Sequence, residues 1–121
     1  KEMKLEEEAK RFMEIRNKST ITAEKYQEGA KATAIYPKKD ALAYLALGLV
    51  SEAGEVAGKV KKKIRDGTDH DVASEIGDVL WYCAMLASEM NVSLGKIMDN
   101  NLEKLYGRKQ RGKLQGSGDT R

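Results

Sequence analysis

The sequence predicts an all-α protein, an antiparallel bundle of about four main helices that a second copy of the chain is expected to complete. Three observations carry this. Apolar residues recur at the three-and-four spacing of a helix along two long segments, with Leu42, Leu45, Leu49, Val56 and Val60 on one stripe and Val72, Ile76, Val79, Cys83, Leu86 and Met90 on another. No segment shows the period-two alternation of a half-buried strand, and no internal repeat competes. The 121 residues, 40% of them hydrophobic, suffice for one core.

Taken in order, residues 1–20 are dense in charges of both signs and read as a short helix or an arm. Thr22 to Ala34 reads as a helix ended by Tyr36-Pro37, because proline lacks an N–H and pushes the residue before it out of helical backbone. Asp40 is placed to cap the next helix, from Ala41 to about Arg65. Asp66 to His70 reads as a loop, with Thr68 or Asp69 starting a third helix that runs to about Met90. Ser93 caps a fourth, ending near Arg108. The organisation expected is an N-terminal arm over 1–20, a helical domain over 21–108 and a basic, glycine-rich tail over 109–121.

Within the two long segments sit four carboxylates in two i,i+3 pairs, Glu52 with Glu55 and Glu75 with Asp78. Residues three apart on a helix differ by about 60° in direction, so each pair presents two acids to one neighbouring element. Both pairs flank an apolar stripe, so two antiparallel helices can point all four into one crevice. Ionised groups on the rim of an apolar stripe lose hydration and need a cation to compensate them. Oxygen donors without imidazole or thiolate suit hard ions, Mg2+ with Mn2+ as a substitute, rather than zinc. Four carboxylates around one divalent ion leave a net charge of about −2, so more than one ion per site is expected. A di-iron bundle is disfavoured because its Glu-x-x-His pairs are absent.

These motifs resemble the MazG-like nucleotide pyrophosphohydrolases of the all-α NTP pyrophosphatase superfamily. The resemblance rests on Gly48-Leu49 leading into Glu52-Ala53-Gly54-Glu55-Val56, on Glu75-Ile76-Gly77-Asp78-Val79-Leu80-Trp81-Tyr82, on Asn101-Leu102-Glu103-Lys104-Leu105 followed by Arg108, and on the closing Gly116-Ser117-Gly118-Asp119 with Arg121. It covers about Thr22 to Arg121; the family commonly carries a further Glu where this chain has Ser51. The resemblance implies hydrolysis of nucleoside triphosphates between the α and β phosphates, giving a monophosphate and pyrophosphate. It implies Mg2+ held by Glu52, Glu55, Glu75 and Asp78, one of which also takes the proton of the attacking water. Asn101, Lys104 and Arg108, a turn apart on the last helix, are then expected to grip sugar or phosphate.

The remaining charge is distributed unevenly. Lys59, Lys61, Lys62, Lys63 and Arg65 crowd the end of the first long helix, where cations favour the macrodipole, and Lys59 and Lys62 are the candidates to capture phosphate. Glu103 to Arg121 holds six basic residues against two acids, more net charge than the +3 of the whole chain. That tail lacks the interleaved aromatics of a nucleic-acid site, and its glycines suit a flap over a triphosphate better. The competing function is a non-catalytic helical interaction or nucleic-acid-binding module whose acids are only surface charge.

Partners and setting follow from the other apolar residues. Tyr44 and Leu47 lie off the first stripe and Trp81 nearly opposite the second, so a homodimer or dimer-based homo-oligomer is expected to bury them. Close helix approach near the acids is the expected reason for Gly54, Gly58 and Gly77. The longest apolar run, Ala41 to Val50, is shorter than a bilayer span and nothing reads as a signal peptide, so no membrane partner is expected. The single cysteine, Cys83, reads as an inert core residue, and the default setting is cytoplasmic. The single histidine, His70, reads as an exposed loop residue.

Overall fold

The two apolar stripes become a helical hairpin. The computed structural model describes residues 2–17 and 21–121, and among them five α-helices and no strand: α1 (Glu2–Asn17), α2 (Ala23–Lys31), α3 (Ala41–Asp66), α4 (Val72–Glu89) and α5 (Leu94–Gln110). The protein is therefore all-α, with one helix more than the four main ones expected. The N-terminal charged segment is helical through α1, while its residue 1 and residues 18–20 lie outside the described residues.

Local chemistry sets each boundary. Thr22 caps α2 through its hydroxyl, 3.2 Å from the Lys25 N–H. The helix stops at Lys31 rather than Ala34, because Thr33 and Ala34 turn back in tight bonds to Ala30 and Lys31 ahead of Pro37. Asp40 precedes α3 but makes no side-chain cap; only its carbonyl serves, accepting from Tyr44 N–H at 2.8 Å. Gly67, with φ 70, ends α3 in the left-handed conformation that glycine tolerates, and its N–H returns to the Lys63 carbonyl. The cap of α4 is Asp71, whose carboxylate accepts from Ser74 N–H at 3.0 Å, not Thr68 or Asp69. Thr68 instead meets the half-buried His70, and Asp69 pairs with Lys63. Ser93 caps α5 as expected, 3.0 Å from Lys96 N–H.

The loop from Gly67 to Asp71 folds α4 back antiparallel on α3. The register is visible in Lys59 opposite Asp71 and Glu75, Glu52 opposite Asp78, and Gly48 opposite Tyr82. At Gly48 a methyl group would collide with the Tyr82 ring, so this is the glycine that close approach requires. Gly54, Gly58 and Gly77 have open space where a Cβ would sit, which overturns the packing reason expected for them.

The core lies toward the start of α3 and the end of α4. Leu45, Ala84 and Met85 are fully buried, joined by Ala30, Tyr36, Ala41, Ala87 and Leu94. Leu42, Val60, Ile76 and Met90, expected on the buried stripes, are exposed. Gln27 of α2 pins the turn into α5, donating to Ser88 Oγ (3.0 Å) and the Val92 carbonyl (3.1 Å) and accepting from Leu94 N–H (2.8 Å). Among the described residues α1 packs on α2 alone, through the two-pronged Arg11–Glu28 pair at 2.9 and 3.0 Å.

Trp81 does not point away from its own chain as its helical position suggests. Its indole N–H donates to Thr33 Oγ1 at 2.8 Å, and the ring packs edge-on against Tyr36 and Tyr82. The α2–α3 connection supplies this cover, which a helical wheel of α4 alone does not contain. By length and composition α3 reaches the range of a membrane span, unlike the ten-residue run read from the sequence, but its middle carries Glu52 and Glu55.

Candidate metal centre

α3 delivers Glu52 and α4 delivers Glu75 and Asp78 to one place. One carboxylate oxygen from each lies within 4.8 Å of those of the other two, with Glu52 and Glu75 half-buried and Asp78 exposed. Glu55, one turn beyond Glu52, stays outside this group on an exposed position, though its negative charge is felt by both Glu52 and Lys59. The i,i+3 spacing on α4 thus converges on the site, while that on α3 contributes one acid directly.

Identical side chains acquire opposite electrostatics here. Loss of water, then the charges of Asp78 and Glu75, raise the proton affinity of Glu52 above the ordinary glutamate value. Glu75 shifts the other way, chiefly because the Lys59 ammonium lies 2.8 Å from its Oε1. Lys59 Nζ also donates to the Asp71 carbonyl at 3.0 Å.

Aromatic groups complete the surroundings. A cavity of about 350 Å³ is lined by Thr33, Glu52, Asp78, Trp81 and Tyr82. Burial raises the pKa of Tyr82, as do the nearby Tyr44, Glu52 and Asp78. Tyr26 of α2 reaches toward the Gly77 carbonyl at 3.4 Å, and burial followed by the Asp78 charge raises its pKa. The motif reading did not single out Thr33, Tyr26 or Tyr82 as site residues. Tyr82 had a signal, since it follows Asp78 by four and Glu75 by seven and shares their helix face. Tyr26 and Thr33 had none, because they arrive from the segment before α3.

The other candidates are scattered. Lys62 is exposed on α3, where its charge is felt by Asp66. Asn101 is exposed on α5, and Lys104 lies 4.0 Å from Asp119. Arg108 is buried at 5% exposure and donates to the Asp119 carbonyl at 2.6 Å, so it clasps the chain's own tail. Among the described residues α5 makes no helix contact with α3.

Residues 41–112 match the MazG nucleotide pyrophosphohydrolase domain, and that span contains α3, α4, α5 and every acid of the centre. The chain belongs to this family. It is also 46% identical over 109 residues to the Gene 37 protein of Mycobacterium phage L5, covering 79% of this chain and 96% of that protein. No solved structure matches it. Membership makes the chain a hydrolase of the nucleotide pyrophosphohydrolase type and a member of a metal-dependent family. The centre fits such an ion. Carboxylate oxygens from two helices are crowded enough to repel one another, and the donor set is all oxygen, as hard divalent cations require.

Proposed function

We propose that this MazG family member is a Mg2+-dependent nucleoside triphosphate pyrophosphohydrolase, cleaving the α–β bond of a (d)NTP to release (d)NMP and pyrophosphate. The convergence of Glu52, Glu75 and Asp78 within 4.8 Å carries the reading, together with the family match across the same residues. Those three would hold the ion, with Glu55 able to extend the set to a second one. When bound, Mg2+, or Mn2+ in its place, supplies charge neutralisation for the phosphates and acidifies the attacking water.

The chain's own groups do the rest. One carboxylate of the cluster accepts the proton of the water attacking the α phosphorus in line. The cavity beside Glu52 and Asp78 receives the nucleoside, whose flat apolar base suits the edge-on walls of Trp81 and Tyr82. Asn101 and Lys104 reach phosphate or sugar from a second copy, a reading supported by α5 making no contact with α3 among the described residues. A homodimer, or an oligomer built from it, is therefore part of the proposal. The alternative of a nucleic-acid-binding tail is disfavoured, since Arg108, Arg111 and Arg121 donate to carbonyls of their own segment.

A panel of the eight common (d)NTPs tests this with Mg2+, reading pyrophosphate and orthophosphate separately in 18O water. Pyrophosphate release with the label on the nucleoside monophosphate is expected, with Mn2+ substituting and Ca2+ supporting little turnover. Label in orthophosphate, or a rate indifferent to EDTA, would abandon the reading.

A further inference from the structure

The sequence offers Lys59 to a phosphate; the fold gives its ammonium to a carboxylate. Nζ lies 2.8 Å from Oε1 of Glu75, with the two side chains 25% and 14% exposed. That burial distinguishes it from the nearby Lys63–Asp69 pair, whose side chains are 60% and 88% exposed and whose attraction is screened by water and salt. The ammonium also has a second anchor, the carbonyl of Asp71 at 3.0 Å, in the residue that caps α4. Its position is thus tied to the start of α4 independently of what Glu75 does.

Three acids within 4.8 Å repel one another unless a cation stands among them. Lys59 is the only basic side chain with an ion pair to any of the three among the described residues. It also sits one turn after Glu55 and two turns after Glu52 on α3, facing the same side. We propose that Lys59 is the built-in counter-ion of the acidic centre, a positioning residue that holds Glu75 beside Glu52 and Asp78 in the metal-free protein. It then competes with the divalent cation for that carboxylate, so the centre binds metal less tightly than its acids alone dictate. The inference rests on the three acids forming a metal site, and it assigns to Lys59 a role toward the ion rather than toward the substrate.

The test is a Mn2+ titration of the full chain followed by the EPR signal of free Mn2+, with thermal melts of each protein with and without the ion. Lys59→Met should bind Mn2+ about tenfold tighter or more, because a unit positive charge beside the ion is removed. Its metal-free Tm should fall, and the rise in Tm on adding Mn2+ should exceed that of the wild type. Lys59→Arg, which keeps the charge, should retain wild-type affinity. Lys59→Gln, which keeps a donor for the Asp71 carbonyl without the charge, serves as the neutral variant where methionine prevents folding. A merely structural anchor would lower Tm in the neutral variants while leaving affinity unchanged or weaker, and that result overturns the proposal while the metal centre stands. A wild-type protein without saturable Mn2+ binding overturns the metal reading itself and the role of Lys59 with it.

Discussion

Glu52 and Glu75 show how a neighbour decides the chemistry of a side chain. Glu52 is partly desolvated and faces two acids, whereas Glu75 is offered an ammonium. Removing one charge from the crowd by Glu52→Gln should cut turnover at least about 100-fold while the metal-free Tm holds or rises, read by pyrophosphate release and circular dichroism melts. A variant with near wild-type activity would remove Glu52 from the site. A second carboxylate, away from the centre, contributes a pH dependence of stability. The Tyr36 hydroxyl donates to Glu89 and Lys38 lies 3.4 Å away, which together hold the Glu89 carboxyl below its ordinary 4.5. A depressed folded pKa contributes stability that is present above about pH 4.5 and is lost as pH falls through the folded value. Tyr36→Phe should therefore melt below the wild type at pH 6, and the gap should narrow below about pH 4.5 in a Tm-versus-pH series.

At the scale of elements, the α3–α4 hairpin is the unit that makes the site, and its register depends on small contacts. Leu45→Ala empties a fully buried position at its closed packing face and should cost about 2–5 kcal/mol in chemical denaturation. Gly48→Ala forces a methyl into the Tyr82 ring, and overpacking of this kind costs about 1–3 kcal/mol. Because Tyr82 lines the same cavity as Glu52 and Asp78, Gly48→Ala should also lower kcat, which separates it from Leu45→Ala if the latter keeps its kcat when folded. The C-terminal segment behaves as an extension of α5. Arg108 donates to the Asp119 and Gly118 carbonyls, Arg111 to the carbonyl of Arg121, and Arg121 back to Lys113 and Leu114. Arg108→Met should release this clasp, seen as faster amide hydrogen exchange over residues 113–121 with α3 and α4 unchanged.

At the scale of the whole molecule, the exposed surface is 9390 Å² for 13.4 kDa, against about 6,500 Å² for a typical folded monomer of that mass. Leu47, Val50, Ile64 and Ile35 are among the large apolar side chains left open, between 71% and 96% exposed. Such a chain has a face that a second copy would cover, in keeping with the assembly proposed above. Light scattering at micromolar concentration should give at least twice the chain mass. Leu47→Glu should shift it toward the monomer and lower activity, with helicity retained. A well-folded wild-type monomer at that concentration would count against the assembly and against any site completed in trans.

The helices were legible because periodicity, caps and breakers are local. Ser93, Gly67 and Pro37 act on residues within a turn of themselves, and the carboxylate pairs of α3 and α4 declare their shared faces by spacing alone. The family was legible for the same reason, since its motifs are short runs around those pairs. What spacing does not contain is which neighbour each face meets. Only the packing of the hairpin places Lys59 on Glu75 rather than on a phosphate and leaves Glu55 outside the crowded group, and only the folding of the tail onto α5 turns Arg108 inward. Trp81 and Thr33 meet across 48 positions of sequence, and Tyr26 and Gly77 across 51. A helical wheel describes one cylinder; the electrostatics of the centre are set where two of them and a connecting segment touch, and that contact is decided by tertiary structure.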